Sequence, residues 1–175
     1  MSEAQARESL RSLAEFGIRQ WVMGGWGVDA LLGKQNRAHH DLDLLVHASD
    51  LPTLHSWLRR EGFARAYEWA ENSPVTVGGG IWDTAFVERP PDGRELDVHA
   101  VHVADGLVSL ATADPWQLPA DTLSGVGRIG GHEVRCVSRS GQRAMHIGYE
   151  LPDKHREDLR RLEALKTPAA GSRSE

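Results

Sequence analysis

Two aspartates separated by one leucine open an apolar stretch that continues to Val46. On a β-strand, alternate side chains point to the same face, so Asp41 and Asp43 would lie side by side. Neighbouring carboxylates repel each other unless a cation lies between them, and hard oxygen ligands suit Mg²⁺ better than Zn²⁺. The spacing therefore predicts a magnesium site, although taken alone it fits a solvent-facing strand edge even better.

A double glycine, Gly24-Gly25, separates a short apolar run at 21–23 from a helical pattern over 26–32. Without side chains, the backbone lets a phosphate approach closely, and a helix N-terminus offers unpaired N–H groups. A plain tight turn would explain the glycines alone. Together with the two aspartates that follow, they predict a phosphate cradle facing a metal site.

A third carboxylate, Asp97, lies in a predicted strand over 95–103. Leu96 and Val98 would face the core, which leaves Asp97 on the same side as Glu95 and His99. The turn sequence at 89–93 predicts a hairpin with the preceding strand, which is expected over 81–88. Asp97 is thus the candidate to complete the metal site or accept a proton, and the alternative is a half-exposed strand with polar residues outward.

These motifs, at 24–29, 37–43 and 96–99, resemble those of the antibiotic nucleotidyltransferases, which belong to the DNA polymerase β-like nucleotidyltransferase superfamily. The chain is most similar to the small lincosamide nucleotidyltransferases and also to the aminoglycoside 2''-nucleotidyltransferases. The resemblance is clearest over 21–46, local at 97–99 and looser over 148–162. It implies an α/β (α+β) fold: a mixed β-sheet flanked by helices, with further helices at the C-terminal end.

The resemblance also implies a reaction, in which a nucleoside monophosphate passes from an NTP, most simply ATP, to a hydroxyl of a lincosamide or aminoglycoside and pyrophosphate is released. Asp41, Asp43 and Asp97 match the residues that bind two Mg²⁺ ions, and Asp97 matches the favoured general base. The matching nucleotide-binding positions are Gly24, Gly25, Arg37, His39 and Lys154.

The acceptor would bind in the middle of the chain, where the resemblance is weakest. Trp69, Trp82 and Trp116 lie there together with acids such as Glu68. Aromatic walls with nearby carboxylates suit a bulky cationic ligand. Packing beneath loops would explain each tryptophan equally well.

Length and charge limit the remaining possibilities. The chain has 175 residues with 20 basic and 25 acidic side chains, a formal net charge of −5. We expect one domain over 1–166, with C-terminal helices from about 138, followed by a flexible tail over 167–175. The polar N-terminus and the absence of a long apolar run predict a cytoplasmic protein without membrane contact, and a homodimer stays open.

Three other functions fit parts of the sequence. A toxin-like nucleotidyltransferase would modify RNA or protein, but the chain has no basic patch for nucleic acid. An HD-type metal-dependent phosphohydrolase would use His40-Asp41, but that architecture is all-helical and this pair precedes a strand. A non-catalytic binding domain would have no need of Asp41, Asp43 and Asp97.

Overall fold

The computed structural model describes residues 1–147 and 150–164. The looser part of the resemblance at Gly148-Tyr149, the end of the last predicted helix at Leu165-Lys166 and the predicted tail lie outside these residues. The helices are α1 (Glu3–Glu15), α2 (Gly24–Leu32), α3 (Leu51–Arg60), α4 (Arg139–Ala144) and α5 (Asp153–Ala164). The strands are β1 (Gln20–Val22), β2 (Leu42–His47), β3 (Ala64–Glu68), β4 (Val75–Val77), β5 (Gly80–Trp82), β6 (Ala85–Arg89), β7 (Leu96–Ala104), β8 (Leu107–Leu110), β9 (Gln117–Leu118), β10 (Gly125–Ile129) and β11 (His132–Cys136).

Nine of the strands form one mixed sheet in the order β10-β11-β1-β2-β7-β6-β3, with β8 paired to β7 and β9 to β8. The pairs β1–β11 and β2–β7 are parallel, and the other pairs are antiparallel. β4 and β5 form a separate hairpin. A mixed sheet with flanking helices, as predicted, is confirmed.

The two faces of the sheet carry different cores. The larger core packs α1, α2 and α3 against one face, with Leu13, Trp26 and Trp57 almost fully buried. The smaller core covers part of the other face and includes Trp21 and Leu45. Because side chains alternate along β2, Asp43, two residues before Leu45, points to this second face as well. That face therefore carries the polar side chains discussed below.

Helix α2 is held in place by close contact with the edge strand β10. Gly127 lies directly against Ala30, and a Cβ atom at Gly127 would overlap the Ala30 backbone. The helix ends at Gly33, which adopts a left-handed conformation with φ of 70°. Backbone packing of this kind fixes where the N-terminus of α2 lies relative to the sheet.

The structure corrects one predicted strand. The expected strand over 81–88 is divided into β5 and β6, because Asn72 Oδ1 accepts the backbone N–H of Thr84 at 2.8 Å and takes the place of a strand partner. Strand β8, which follows the Asp105-Gly106 turn, was not predicted. The predicted hairpin of β6 with β7 is confirmed. Within the described ranges, no helix has the length and apolar character needed to cross a membrane.

We expect Gly127→Ala to lower the free energy of unfolding by about 1–3 kcal/mol, since the new methyl group must displace α2 from β10. Val126→Ala is the matched control: Val126 is 58% exposed on the same strand, and its truncation should cost no more than about 0.5 kcal/mol. Urea unfolding measures both variants. Equal stabilities would show that the contact with Ala30 is not a constraint.

Candidate active site

Strand pairing places a row of side chains across four strands on the second face of the sheet. Asp43 of β2 pairs with Asp97 of β7, Asp97 pairs with Val87 of β6, and Val87 pairs with Tyr67 of β3. Laterally paired residues point to the same face, and neighbouring strands lie about 4.8 Å apart. The predicted position of Asp97, beside the aspartate pair on the next strand, is thus what the structure shows.

Asp43 lies at the centre of this negative charge. Burial, followed by the charges of Asp41 and Asp97, raises the pKa of Asp43 well above its ordinary value. The positive charges of Lys154 and Arg37 lower it in part. Asp41, immediately before β2, and Asp97 are therefore both close enough to Asp43 to repel it electrostatically.

The N-terminus of α2 abuts this cluster. Gly24 is the first residue of the helix, with φ of 57°, and a Cβ atom there would overlap the Asp43 carboxylate. The backbone N–H of Met23 donates to the Asp43 carbonyl at 2.9 Å, which ties the helix start to β2. The two glycines thus bring the positive end of a helix dipole next to the acidic cluster.

Behind Gly25 lies a buried hydrogen-bonded pair that fixes one side of the helix start. His39 Nε2 donates to Asp29 Oδ2 at 2.6 Å, and the His39 ring lies 4.5 Å from the Trp26 ring. Burial alone would raise the pKa of Asp29, but hydrogen bonds from His39 and Asn36 lower it, so the carboxylate is ionised. His39 Nδ1 faces Gly25, where a Cβ atom would lie 2.5 Å from it.

Arg37 links the helix start to the C-terminal helix. Its Nη2 donates to Asp158 Oδ2 of α5 at 2.9 Å and its Nε to the same oxygen at 3.2 Å, and Asp158 is 3% exposed. The guanidinium also lies against Gly25. On the same helix, exposed Lys154 is near enough to Asp43 to act on its pKa. The structure therefore brings Arg37 against Gly25 and places Lys154 within electrostatic reach of Asp43.

Asp97 is hydrogen-bonded by Trp69 and lies beside His99 on its own face of the sheet. Trp69 donates its indole N–H to Asp97 Oδ1 at 2.9 Å, and His99 Nε2 lies 3.2 Å from the same oxygen. The Trp69 ring stacks on His99 with centroids 6.3 Å apart, and Tyr67 meets the Trp69 ring edge-on at 5.1 Å. Trp69 is 36% exposed, so part of its ring is open to solvent beside Asp97 while its indole N–H binds the carboxylate.

Two of the four predicted acceptor-binding residues lie on the opposite face. Glu68 pairs with Phe86, which belongs to the larger core, and it accepts a bond from Arg65 Nη1 at 2.9 Å. Trp82 packs 5.0 Å from His55 of α3 and donates its indole N–H to the Val77 carbonyl. Their positions do not support contact with an acceptor beside Asp97.

Trp116 lies elsewhere again, immediately before β9, where its carbonyl accepts the Leu110 N–H at 3.0 Å. Its side chain is 41% exposed. Of the predicted acceptor wall, the structure thus brings Trp69 to the acidic cluster.

The donor set fits a hard divalent cation. Asp41, Asp43 and Asp97 offer neighbouring carboxylates, and burial together with the charges of Asp41 and Asp97 raises the pKa of Asp43 despite the opposing charges of Lys154 and Arg37. As the side chains stand, no three His, Cys, Asp or Glu groups in the described part of the chain surround a common point suited to a metal. The three carboxylates therefore lie next to one another, as predicted, but they do not form a closed coordination shell.

Sequence reasoning assigned no role to Asp29 or Asp158. Asp29 could have been found, because an acid within the apolar helical pattern of α2 needs a buried partner. Asp158 gave no local signal, since its contact with Arg37 joins residues far apart in the chain.

Comparison with known proteins assigns the family. The sequence profile of the aminoglycoside-2''-adenylyltransferase family matches residues 7–162. The chain belongs to this family. It is accordingly an enzyme of the nucleotidyltransferase class, and the resemblance to antibiotic nucleotidyltransferases is confirmed.

Individual relatives agree with that assignment. A lincosamide resistance protein from Staphylococcus haemolyticus is 24% identical over 152 residues, which cover 85% of this chain and 86% of the relative. The crystal structure of the lincosamide antibiotic adenylyltransferase LnuA, bound to lincomycin, superposes with a TM-score of 0.78 at 22% identity, covering 95% of this chain and 99% of that one. The structure of ANT(2")-Ia with adenylyl-2"-tobramycin gives a TM-score of 0.68 at 23% identity, covering 91% and 86%. These likenesses establish the nucleotidyltransferase fold.

The raised pKa of Asp43 predicts a pH-dependent stability. Because the folded state holds the Asp43 proton more tightly than the unfolded state, Asp43 contributes stability to the metal-free protein at low pH, and this contribution is lost as pH rises through its folded-state pKa. We expect Asp43→Asn to be more stable than the wild type at about pH 8, by about 1 kcal/mol or about 2–4 °C in Tm, and the gain to vanish near pH 4. Thermal unfolding in chelator at both pH values measures this.

Asp83→Asn is the control of opposite sign. Burial alone would raise the pKa of Asp83, but hydrogen bonds from Arg65 and Asn72 lower it, so its stabilising contribution is present above the ordinary carboxyl pKa and lost at lower pH. Asp83→Asn should therefore lower Tm near pH 8. If both variants shifted Tm in the same direction, local electrostatics would not be the cause.

Proposed function

We propose that this enzyme transfers an adenylyl group from Mg-ATP to a hydroxyl of an antibiotic of the lincosamide or aminoglycoside type and releases pyrophosphate. The observation that carries this proposal is the pairing of Asp43 with Asp97 on adjacent strands, directly beside the glycine start of α2. An acidic pair next to a helix N-terminus combines a place for a divalent cation with a place for phosphate. In-line phosphoryl transfer requires this combination.

The triphosphate would lie over Gly24 and Gly25, where backbone N–H groups at the start of α2 meet it. Arg37 lies against Gly25, and Lys154 lies close enough to lower the Asp43 pKa, so both supply positive charge near the triphosphate. His39, held by Asp29, supports the backbone at Gly25 from behind. These residues bind and orient the nucleotide so that its α-phosphorus faces Asp97.

Asp41, Asp43 and Asp97 would hold two Mg²⁺ ions. When bound, such ions neutralise charge on the phosphates and make a nearby hydroxyl easier to deprotonate. The adjacent carboxylates and the raised pKa of Asp43, caused by burial and by its two acidic neighbours, support this assignment.

Asp97 is the proton acceptor in this proposal. The acceptor hydroxyl oxygen forms a bond to the α-phosphorus while the bond to the pyrophosphate oxygen breaks. The hydroxyl proton passes to Asp97, whose position beside Asp43 and at the edge of an exposed aromatic surface supports this role.

The acceptor would lie against Tyr67 and Trp69. Both rings are partly exposed on the same face as Asp97, and burial together with the charges of Asp97, Glu95 and Asp41 raises the pKa of Tyr67, which reflects the negative field there. An aromatic surface in a negative field favours a cationic acceptor with apolar parts.

A direct test incubates the protein with Mg²⁺, NTP labelled at the α-phosphate, and a panel of lincosamides and aminoglycosides. We expect labelled drug with the wild type and loss of labelling by at least about 10³-fold in Asp41→Asn and Asp43→Asn, because each removes one charge from the acidic cluster. Asp105→Asn is the matched control, since Asp105 lies in the β7–β8 turn with φ of 51°, which asparagine tolerates. Near-normal labelling in Asp43→Asn would remove the acidic pair from the mechanism.

We expect Asp97→Ala to lower kcat by about 10²–10⁴-fold, because the acceptor hydroxyl loses its proton acceptor. Affinity for the nucleotide should change far less, since Gly24, Gly25 and Lys154 contact the triphosphate in this proposal. Calorimetric titration with Mg-NTP, beside turnover with the labelled acceptor, separates the two effects. Equal losses in both would make Asp97 a nucleotide ligand and not the base.

A further inference from the structure

A β-bulge in β3 decides which side chains reach Asp97. Arg65 pairs with Glu88 and Tyr67 pairs with Val87, so Ala66 is an extra residue without a partner on β6. On a regular strand, Arg65, Tyr67 and Trp69 would share one face. The extra residue reverses the phase and turns Tyr67 toward the face of Asp97, while Arg65 stays on the other face with its guanidinium 4.2 Å over Phe86.

The backbone of Trp69, just after the end of β3, is hydrogen-bonded through both its N–H and its carbonyl. Its N–H donates to the Ala85 carbonyl at 3.1 Å, and its carbonyl accepts the Asn72 N–H at 3.0 Å. Asn72 is in turn fixed by its side chain, which accepts the Thr84 N–H and donates to Asp83 Oδ1 at 2.9 Å. An aromatic side chain on so constrained a backbone can fix its partner's orientation.

We propose that Trp69 is a positioning residue for Asp97, an inference that rests on the proposed function. Its indole N–H donates to Oδ1 of Asp97, which also lies 3.2 Å from His99 Nε2, so Oδ2 is the oxygen left to face the metal site and the acceptor hydroxyl. The exposed part of the same ring touches the acceptor. Trp69 therefore couples the place where the acceptor binds to the orientation of the group that takes its proton.

Trp69→Phe tests this by removing the N–H donor and keeping an aromatic surface. We expect kcat to fall by about 10- to 100-fold, because Asp97 loses its fixed orientation, while the KM for the nucleotide is unchanged. Trp82→Phe is the matched control: its indole N–H donates to Val77 at 3.0 Å, but on the α3 side of the sheet. A purely structural effect of losing an indole hydrogen bond would appear in both variants.

A double-mutant cycle shows whether Trp69 acts through Asp97. In an Asp97→Asn background, Trp69→Phe should lower the residual kcat by less than about 2-fold, because the group that Trp69 orients no longer accepts a proton. Full additivity of the two losses would overturn the proposal and leave Trp69 as an acceptor contact alone.

A measurement without any acceptor separates this proposal from the proposed function. The chain has six tryptophans, and Trp69→Phe identifies the indole N–H signal of Trp69 in a ¹H–¹⁵N spectrum. Asp97→Asn should shift that signal more than the other five and speed its exchange with solvent. An unmoved Trp69 signal would disprove the contact even if transfer occurs. A shifted signal in a protein that labels no acceptor would instead count against the proposed function.

Discussion

The parallel pairing of β2 with β7 is the constraint on which the site depends. It sets Asp43 directly beside Asp97 at the distance between neighbouring strands, where two carboxylates repel and burial adds to the cost. The fold sustains this arrangement because both strands are anchored by leucines and valines on the opposite face. The stability of that core thus maintains an electrostatic arrangement that is unfavourable by itself and attracts a cation.

Part of the positive charge near the cluster comes from α5, more than 100 residues after Asp43 in the chain. The ion pair between half-buried Arg37 and buried Asp158 joins the loop before β2 to α5, and α5 carries Lys154. Taking such a pair out of water is costly, so its net contribution to stability is small. Here it has a clear geometric consequence, because it fixes a C-terminal helix next to residues of the first third of the chain.

Local patterns predicted much of this site. The spacing of Asp41 and Asp43, the glycines before α2, and the alternation around Asp97 all follow from the geometry of a single strand or turn, and the structure brings these residues together. The direction in which the Tyr67 and Trp69 side chains point could not be predicted, because the bulge at Ala66 reverses the alternation of side chains along β3. Glu68 and Trp69 are consecutive and point to opposite faces, so they could not both line one cleft. The contact between Arg37 and Asp158 spans most of the chain and leaves no periodic signal.

The connection between β3 and β6 shows how such an enzyme can diversify. These strands are antiparallel neighbours, so the residues between them, including the β4–β5 hairpin, form an excursion whose two ends lie close together. Asn72 closes the base of this excursion through Thr84. Because both ends of the excursion are fixed to the sheet, residues added at the tip of the β4–β5 hairpin would leave the order and register of the strands that carry Asp43 and Asp97 unchanged. The tip of this hairpin is therefore the place where the chain can accept an insertion without disturbing the acidic cluster.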